Sequence, residues 1–327
     1  MRVLVTGGAG YIGSHTAKAL AETGFEPIVY DNLSEGHRWA VQWGPLVEAN
    51  LSDRSRLQEA LQQHSIEAVI HFAAHAYVGE SMREPRRYFQ NNITDALVLL
   101  DTLLDAGIST VVFSSSCAVY GLPATLPISE SNVKQPLSPY GESKLFLERA
   151  LSWYGAAYGL RSACLRYFNA AGADAAGELG ELHRCETHII PLVIESALGR
   201  RGTVEIFGTD YPTDDGTAIR DFVHVSDLAD AHVLALKRLV AEKESFTVNL
   251  GTGRGVSVLE IIRAVEKHAG FPITWRPGPR RPGDPPALVA DASQAHSLLG
   301  WNPARSTIDE IVASAWRWHQ RMPQIEK

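Results

Sequence analysis

The stretch Val3-Leu4-Val5-Thr6-Gly7-Gly8-Ala9-Gly10-Tyr11-Ile12-Gly13 decides the fold of this chain. It runs from a short apolar segment, which predicts a β-strand, into a helical pattern over Ile12–Thr23. Gly7, Gly10 and Gly13 have the spacing that permits a tight turn, close approach of a pyrophosphate and close packing of helix on strand. The first amides of the helix would attract phosphate. Because a strand and a helix flank the glycines, the motif predicts a dinucleotide site.

Asp31 indicates which dinucleotide the site binds. It follows the predicted strand Pro27–Tyr30 and stands 18 residues beyond Gly13. A carboxylate at this position can accept hydrogen bonds from the adenosine ribose and would repel a 2′-phosphate. The expected cofactor is therefore NAD rather than NADP. The competing interpretation is that Asp31-Asn32 forms only a turn.

Strands and helices alternate outward from this motif to about residue 168. Alternation of this kind predicts an α/β fold with a doubly wound, Rossmann-like parallel sheet, and residues 1–168 as the dinucleotide-binding domain. The further predicted strands are Ala68–Phe72, Val111–Ser115 and Ala163–Tyr167, and the further predicted helices are Ser55–His64, Asn91–Ala106 and Pro139–Tyr158.

The second half, residues 169–327, lacks this regular alternation and predicts a smaller α/β substrate lobe. A return to the first domain is expected at about 220–250, through Phe222–Val225 and a helix from Asp227 to about Leu239. The other segments are predicted as a loop over Ala170–Glu186, helices over Ile189–Gly199 and Val258–His268, and an extended proline-rich segment over Phe271–Pro286.

Composition excludes several classes of protein. The formal net charge of −7 over 327 residues gives no electrostatic reason to expect nucleic acid or an anionic membrane. No apolar run reaches the roughly 18 residues of a membrane span, and the short N-terminal run meets glycines at once, unlike a signal peptide. Cys117, Cys164 and Cys185 are odd in number and lack metal-ligand spacing, so neither a disulfide framework nor a metal site is predicted, and a reducing cytoplasm is expected.

The segment Tyr140-Gly141-Glu142-Ser143-Lys144 is the candidate catalytic motif. Residues four apart share a helix face, so the Tyr140 phenol and the Lys144 ammonium would project together. A nearby ammonium and the positive nicotinamide of NAD⁺ would favour the phenolate and lower the tyrosine pKa from about 10. Tyr140 could then take a proton from a sugar hydroxyl while hydride leaves the same carbon.

Ser116 is the third candidate catalytic residue. It ends the run Ser114-Ser115-Ser116 at the carboxyl end of a predicted parallel strand, which is where ligands bind in such sheets. Its hydroxyl could hydrogen-bond the reacting hydroxyl. Serines at strand ends often only cap a helix or form a turn. The order serine, tyrosine, lysine after a glycine loop nevertheless indicates a single catalytic site.

With these motifs the chain resembles the extended short-chain dehydrogenase/reductase family from end to end, and most closely its nucleotide-sugar 4-epimerases. The run Phe207–Thr217 is especially characteristic of those epimerases. The other matching segments are Val5–His15, Val69–Ala74, Val78–Ser81, Ser114–Gly121, Ser138–Lys144, Leu165–Asn169, Ile206–Val225 and Arg281–Asp291.

The resemblance implies an activity: interconversion of UDP-glucose and UDP-galactose by oxidation at C4 with bound NAD, turning of the 4-keto sugar and return of the hydride. It also implies a cytoplasmic homodimer, because the predicted helices Asn91–Ala106 and Pro139–Tyr158 resemble those that pair in relatives.

Cofactor contacts follow from the resemblance as well. Asn50 replaces an aspartate of the family, and Ala76 stands where some members carry a lysine. The implied cofactor-binding set is Gly7, Gly10, Tyr11, Ile12, Gly13, Asp31, Asn32, Leu33, Ser34, Glu35, Gly36, Asn50, Leu51, Phe72, Ala73, Ala74, His75, Ala76, Asn91, Ser116, Tyr140, Lys144 and Phe168.

The resemblance also implies how the sugar nucleotide would be bound. Asn169 and His188, an asparagine in some members, would meet the diphosphate, and Glu205, Ile206 and Phe207 the uracil. Arg220 and Arg281 would clamp phosphates, Asp284 would accept from the uridine ribose, and Leu288 would border the sugar, where Ser116 and Tyr140 meet the reacting hydroxyl. Tyrosine at the Leu288 position accompanies restriction to plain hexoses in similar epimerases, and cysteine or serine accompanies acceptance of N-acetylated sugars.

Three alternatives remain open at this stage. A UDP-pentose or UDP-uronate 4-epimerase would share these motifs. A nucleotide-sugar 4,6-dehydratase would carry an Asp-Glu pair after the serine, where this chain has Cys117-Ala118. A non-catalytic NAD-sensing regulator would not need Ser116, Tyr140 and Lys144 intact together.

Overall fold

The computed structural model describes residues 1–281 and 283–321; Pro282 and residues 322–327, which belong to the predicted substrate lobe, lie outside the described residues. The strands are β1 (Arg2–Thr6), β2 (Glu26–Asp31), β3 (Leu46–Glu48), β4 (Ala68–His71), β5 (Thr110–Ser116), β6 (Arg161–Tyr167), β7 (Asn169–Ala171), β8 (Val204–Phe207), β9 (Ile219–His224), β10 (Phe246–Leu250), β11 (Gly255–Ser257), β12 (Trp275–Gly278) and β13 (Ala287–Leu288).

The helices surround these strands. They are α1 (Tyr11–Glu22), α2 (Arg54–Gln63), α3 (Val78–Ser81), α4 (Pro85–Phe89), α5 (Ala96–Asp105), α6 (Pro139–Tyr158), α7 (Ile189–Ala197), α8 (Val225–Glu242), α9 (Val258–Ala269), α10 (Ser293–Leu299) and α11 (Ile308–Arg321). Within the part of the chain that the structure describes, no helix has the length and apolar character to cross a membrane.

A seven-stranded parallel sheet in the order β10-β6-β5-β4-β1-β2-β3 forms the main body. The order reverses at β1, because β2 and β4 lie on its two sides, and such a switch point opens a crevice at the carboxyl ends of the strands. The predicted α/β fold with a doubly wound parallel sheet is confirmed.

Helices cover both faces of this sheet, as its sequence pattern requires. Side chains alternate along a strand, so Val3 and Val5 enter a core shared with α1 and α8, whereas Leu4 enters a core shared with α2, α5 and α6. Strands covered on both faces have continuous apolar sequences. The short apolar segment at the N-terminus therefore predicts β1 correctly.

The predicted strands of the first half lie within two residues of those observed, and β3 and β10 are additional. The predicted helix Asn91–Ala106 begins differently: Gln90–Asp95 form a π-helix, and α5 starts only at Ala96. A π-helical turn repositions the side chains that follow it and often marks a functional site.

The smaller lobe is built from β9, which pairs with β7, β11 and β13, and from the parallel pair β8 and β12. Its core lies among α7, α9 and α11. The expected return to the main sheet is observed only in part. Helix α8, which begins at Val225, packs on α1 and leads to β10 of the main sheet. Phe222 and Val223 instead lie in β9 of the small sheet. The division of the chain at residue 168 stays a prediction.

Candidate active site

The glycine loop forms a cradle that side chains would fill. Gly7 has φ +70°, and a Cβ there would lie 2.6 Å from the Ala73 nitrogen; one on Gly13 would lie 2.2 Å from the Gly7 carbonyl oxygen. Gly10 precedes α1, whose first turn has no side-chain cap and no acidic residue. Backbone amides with a positive dipole end therefore face the crevice, an arrangement that fits a pyrophosphate.

Asp31 ends β2 beside this cradle. Its carboxylate accepts hydrogen bonds from the amides of Ala9 (3.0 Å) and Leu33 (2.8 Å), and burial raises its pKa against the effect of those bonds. The two amides fix the carboxylate at the carboxyl end of the strand. A ribose hydroxyl is the partner that this position can receive.

Some of the other residues predicted to contact the adenosine are joined by hydrogen bonds to one another. Asn32 donates to the Asn50 side chain (2.7 Å) and accepts from the Ser34 amide (3.0 Å). A Cβ on Gly36 would touch Ala9, so this loop lies against the glycine loop. Leu33 adopts a left-handed backbone conformation, and Glu35 forms an ion pair with Arg87. Leu51 differs from expectation: its side chain is buried in the core, so only its backbone can contact a cofactor.

The segment Phe72–Ala76 follows β4 along the same edge of the sheet. Phe72 packs against His232, with ring centroids 4.6 Å apart, while Ala76 is exposed. The side chain that holds this segment is that of Asn92, the neighbour of the predicted cofactor residue Asn91. Asn92 accepts from the His75 amide and donates to the His75 carbonyl and to Ser143, and Asn91 donates to Asn92. Sequence reasoning missed Asn92 because it assumed a regular helix.

Helix α6 carries the Tyr140 and Lys144 pair to the end of β5. Its start is fixed by Ser138, whose hydroxyl accepts from the Gly141 amide (3.2 Å). A Cβ on Gly141 would lie 2.6 Å from the Ala118 carbonyl oxygen. Glycine here lets the helix lie against the turn after Ser116, and its role was not anticipated from the sequence.

Ser116, Tyr140 and Lys144 meet as predicted. The Lys144 ammonium donates to the Ser114 carbonyl (2.8 Å) and lies 5.8 Å from the centroid of the Tyr140 ring. Burial lowers the pKa of Lys144 to about 7, although the charge of Glu148 raises it. The Ser116 hydroxyl accepts from the Ala118 amide (3.2 Å), and its proximity to Tyr140 lowers the Tyr140 pKa.

The pKa of Tyr140 is not lowered as expected. Burial raises it above its usual value and outweighs the lowering effect of Ser116. The predicted lowering rested partly on the positive nicotinamide of NAD⁺, whose charge would act on a phenol shielded from water. The neighbouring Cys117 thiol also has a pKa raised by burial, to about 12, and is a poor nucleophile.

Several predicted substrate residues pair across the small lobe. Arg220 in β9 forms an ion pair with Asp284 (2.5 Å), and the Arg281 guanidinium lies 4.5 Å from the Phe207 ring centroid. Asn169 begins β7, next to Phe168. In β8, Glu205 and Phe207 face away from the core, whereas Ile206 is buried in it. The expected uracil contact of Ile206 can therefore come only from its backbone.

Leu288 and Cys117 pack against a buried apolar cluster formed by Val119, Tyr120, Ile128, Leu145, Phe168 and Ala290. Since Phe168 of this cluster is expected to approach the nicotinamide, Leu288 lies where it could border a sugar.

Asp221 was missed by the sequence reading. Its buried carboxylate accepts from the amides of Thr252 (2.8 Å), Gly253 (3.0 Å) and Ala290 (3.1 Å). It thus holds the segment that carries Leu288 against β9, which carries Arg220. The signal, an aspartate inside an apolar strand after an arginine, was present, but its amide partners are distant in sequence.

The comparisons with known proteins agree with this site. The model of the NAD dependent epimerase/dehydratase family matches residues 3–251. A UDP-glucose 4-epimerase of Rhizobium meliloti (strain 1021) is 51% identical, with 98% of each chain covered.

Two solved structures are also similar. The UDP-glucose 4-epimerase of Brucella ovis in complex with NAD is 50% identical, with a TM-score of 0.94 and 97% of each chain covered. That of Stenotrophomonas maltophila, with bound NAD and formylated UDP-arabinopyranose, is 41% identical, with a TM-score of 0.96 and 99% of each chain covered. The present chain belongs to the NAD dependent epimerase/dehydratase family.

Proposed function

We propose that this protein catalyses the interconversion of UDP-glucose and UDP-galactose with NAD as its cofactor. The observation that carries the proposal is the meeting of Ser116, Tyr140 and Lys144 at the end of β5, in the same crevice as the glycine loop. The similar proteins named as UDP-glucose 4-epimerases, one of them in complex with NAD, support it.

Each catalytic residue has a role that its contacts support. Tyr140 accepts the proton of the sugar 4-hydroxyl, and Ser116, close to Tyr140 at the end of β5, orients that hydroxyl. Lys144, anchored on the Ser114 carbonyl, favours the phenolate when charged. NAD would be held by the glycine loop and Asp31, and when bound it would supply the acceptor for the C4 hydride and the donor for its return to the turned 4-keto sugar.

The UDP portion would occupy the small lobe. Arg220 and Arg281 supply guanidinium groups suited to phosphate, and Asp284 supplies an acceptor for the ribose. Asp284 is engaged by Arg220, so nucleotide binding would exchange part of this ion pair for contacts with the nucleotide.

The decisive experiment is coupled conversion of UDP-galactose to UDP-glucose by purified protein without added NAD. Turnover is expected because each cycle regenerates the cofactor. Protein that contains NAD but converts no UDP sugar would instead favour the non-catalytic regulator.

A UDP-pentose 4-epimerase is the second candidate. The similar Stenotrophomonas structure holds formylated UDP-arabinopyranose, so a pentose derivative occupies a protein of this architecture. Assaying UDP-arabinose, UDP-galactose and UDP-galacturonate side by side decides between the candidates. A 4,6-dehydratase is disfavoured, since Cys117-Ala118 offers no acid or base after Ser116.

Asp31 leads to a prediction on cofactor choice. In Asp31→Ser the carboxylate that faces the ribose is lost, and one hydrogen bond to a charged group is worth about 1.5–3 kcal/mol. The affinity for NAD should fall at least about tenfold, and discrimination against NADP should relax because the repelling charge is gone. Calorimetric titration of cofactor-depleted protein with both dinucleotides measures this. An unchanged preference would move the assignment to Asn32 or elsewhere.

Leu288 leads to a prediction on substrate range. Leucine offers no hydrogen bond to an acetamido group, and a buried unpaired amide costs about 1–3 kcal/mol. The enzyme should therefore prefer UDP-glucose and UDP-galactose to the N-acetyl pair. Leu288→Ser should raise the relative kcat/KM for UDP-N-acetylglucosamine, and Leu288→Met, which keeps an apolar wall, should not. Equal use of both sugar pairs by the unmutated enzyme would show that Leu288 is not the gate.

We further propose a homodimer that pairs through α5 and α6. On α6, Phe146 and Trp153 share one face and are 44% and 75% exposed, large apolar areas for a monomer to leave in water. The Tyr154 hydroxyl donates to Asp101 (2.6 Å), which joins both helices in one surface.

Light scattering at micromolar concentration tests this assembly. The wild type should have the mass of a dimer, and Trp153→Glu should shift it toward the monomer because a carboxylate would be buried at the interface. Trp275→Glu, at an exposed tryptophan of β12, is the matched control and should stay dimeric. A monomeric wild type would contradict the proposal. A cytoplasmic location, consistent with free Cys117, Cys164 and Cys185, is proposed as well.

A further inference from the structure

Two glutamates and two histidines converge in the connection between β7 and α7. The Nδ1 atom of His183 lies 3.3 Å from Glu181 Oε1 and 3.1 Å from Glu186 Oε2. The Nδ1 atom of His188 lies 2.8 Å from Glu181 Oε1 and 2.9 Å from Glu186 Oε1. One ligand atom from each of the four residues lies within 4.8 Å of every other, and we call this group the Glu-His cluster.

The Glu-His cluster is not an ordinary surface ion pair. Glu181 is 4% exposed, and the rings of Tyr11 and Tyr77 pack against His183. Among residues 1–281 and 283–321, neither carboxylate forms a salt bridge with a lysine or arginine, so the two histidines are their partners in charge. Two adjacent buried carboxylates are costly unless positive charge compensates them.

The backbone around the cluster is already fixed. The Trp318 indole donates to the Glu181 carbonyl (3.0 Å), and His37 donates to the Leu182 carbonyl (3.0 Å). Glu186 Oε1 also accepts from the amides of Thr187 (2.8 Å) and His188 (2.7 Å). Secondary hydrogen bonds of this kind orient metal ligands in proteins. The backbone at Glu181 and Leu182 and the Glu186 carboxylate are therefore held by hydrogen bonds, while the His188 side chain is 44% exposed.

We propose that Glu181, His183, Glu186 and His188 bind one divalent cation, with zinc preferred. Imidazole and carboxylate ligands suit zinc, and zinc takes four ligands at about 2.0–2.2 Å in a tetrahedron, whose edges are then roughly 3.3–3.6 Å. The four histidine–glutamate separations of 2.8–3.3 Å would have to expand slightly, and every ligand atom already lies within 4.8 Å of the others. The ion would replace the imidazole protons that now bridge to the carboxylates, and its two charges would neutralise the two glutamates.

The composition of the site assigns it a structural role. Four protein ligands close a zinc site, whereas catalytic zinc keeps one position open. The ion would tie the loop that starts after β7 to His188, the residue that precedes α7. The lack of metal-ligand spacing among the cysteines predicts no metal site, and this proposal departs from that expectation. It rests on the ligand geometry and not on the proposed reaction, although His188 is also the residue expected to meet the diphosphate of the sugar nucleotide.

The test is metal binding by the full-length, tag-free protein after dialysis against a chelator. The exposed thiol of Cys185 is removed by Cys185→Ser in all samples, because it lies in the same loop and could bind zinc itself. Titration with ZnCl₂ followed by elemental analysis should give one ion per chain. His183→Gln and Glu186→Gln should each weaken binding at least tenfold, while His268→Gln, at an exposed histidine of α9, should not.

Cobalt provides a second measurement on the unmutated site. Four-coordinate Co²⁺ gives far stronger visible absorption bands than six-coordinate Co²⁺, so the Cys185→Ser protein should show the strong bands. Added zinc should also raise the Tm of that protein but not of His183→Gln. No zinc retained, weak cobalt bands, or equal affinity in His183→Gln would each overturn the proposal, and none of these readouts requires turnover.

Discussion

Tyr140→Phe is expected to lower turnover of UDP-galactose about 10²–10⁴-fold, the range found for a positioned acid–base group. The phenylalanine ring keeps the shape of the buried side chain but removes the hydroxyl that would accept the sugar proton. Because the lost interaction belongs to the transition state, the effect should fall on kcat, with KM little changed.

The matched control for this prediction is Tyr158→Phe, at an exposed tyrosine in the last turn of the same helix. It should keep wild-type kcat. Both variants should retain bound NAD, measured by releasing the cofactor from denatured protein, and both should unfold at the wild-type temperature within a few degrees. Near-wild-type turnover in Tyr140→Phe would eliminate Tyr140 as the base. Loss of NAD in that variant would indicate a structural role instead.

The parts of the site that could be predicted from sequence depend on short-range geometry. The spacing of Gly7, Gly10 and Gly13 and the interval between Tyr140 and Lys144 are fixed by one turn or one helical repeat. The position of Ser116 follows from its place at the end of an apolar strand. Such features need no knowledge of which distant segments pair. The structure brings all of them to one edge of the sheet.

The small sheet could not be predicted in the same way. β13 has two residues and pairs with β9, whose partner residues lie more than sixty positions earlier in the chain. Neither segment has a periodicity of its own. Both are stabilised by the pairing and by Asp221, whose carboxylate accepts from the amides of Thr252 and Ala290. The position of Leu288 against the apolar cluster that includes Phe168 results from this tertiary arrangement.

The π-helix and the Glu-His cluster illustrate two further reasons. The π-helical turn over Gln90–Asp95 places Asn92 where it holds His75, and an apolar pattern cannot reveal an extra residue in a turn. Glu181, His183, Glu186 and His188 alternate in an irregular loop, where no helix or strand period predicts convergence. Only the folded loop places their side chains together.

A buried ionic network beneath the catalytic helix leads to the largest predicted loss of stability. Glu148 of α6 accepts two hydrogen bonds from the Arg166 guanidinium of β6, at 2.8 and 2.6 Å, and one from Ser115. Arg166 also donates to Tyr120, which in turn donates to Asn249. Burial alone would lower the pKa of Arg166, but its bonds to Glu148 raise it, so the guanidinium remains charged.

Glu148→Gln is therefore expected to lower the free energy of unfolding by about 3–5 kcal/mol, the usual cost of leaving one buried charge without its partner. Glutamine keeps the size of the side chain but cannot neutralise Arg166. Urea unfolding at one fixed protein concentration measures the loss. Glu142→Gln, at an exposed glutamate in the first turn of the same helix, should cost less than about 1 kcal/mol.

The double variant Glu148→Leu/Arg166→Met separates the cost of an unpaired charge from the value of the ion pair. Removing both charges also removes the desolvation penalty, so this protein should be clearly more stable than Glu148→Gln despite carrying two substitutions. Lys144 would nevertheless lose the neighbouring carboxylate that raises its pKa, and turnover should fall although the fold survives. If Glu148→Gln unfolds like the wild type, or the double variant is the least stable of the three, the network does not stabilise the fold by charge pairing.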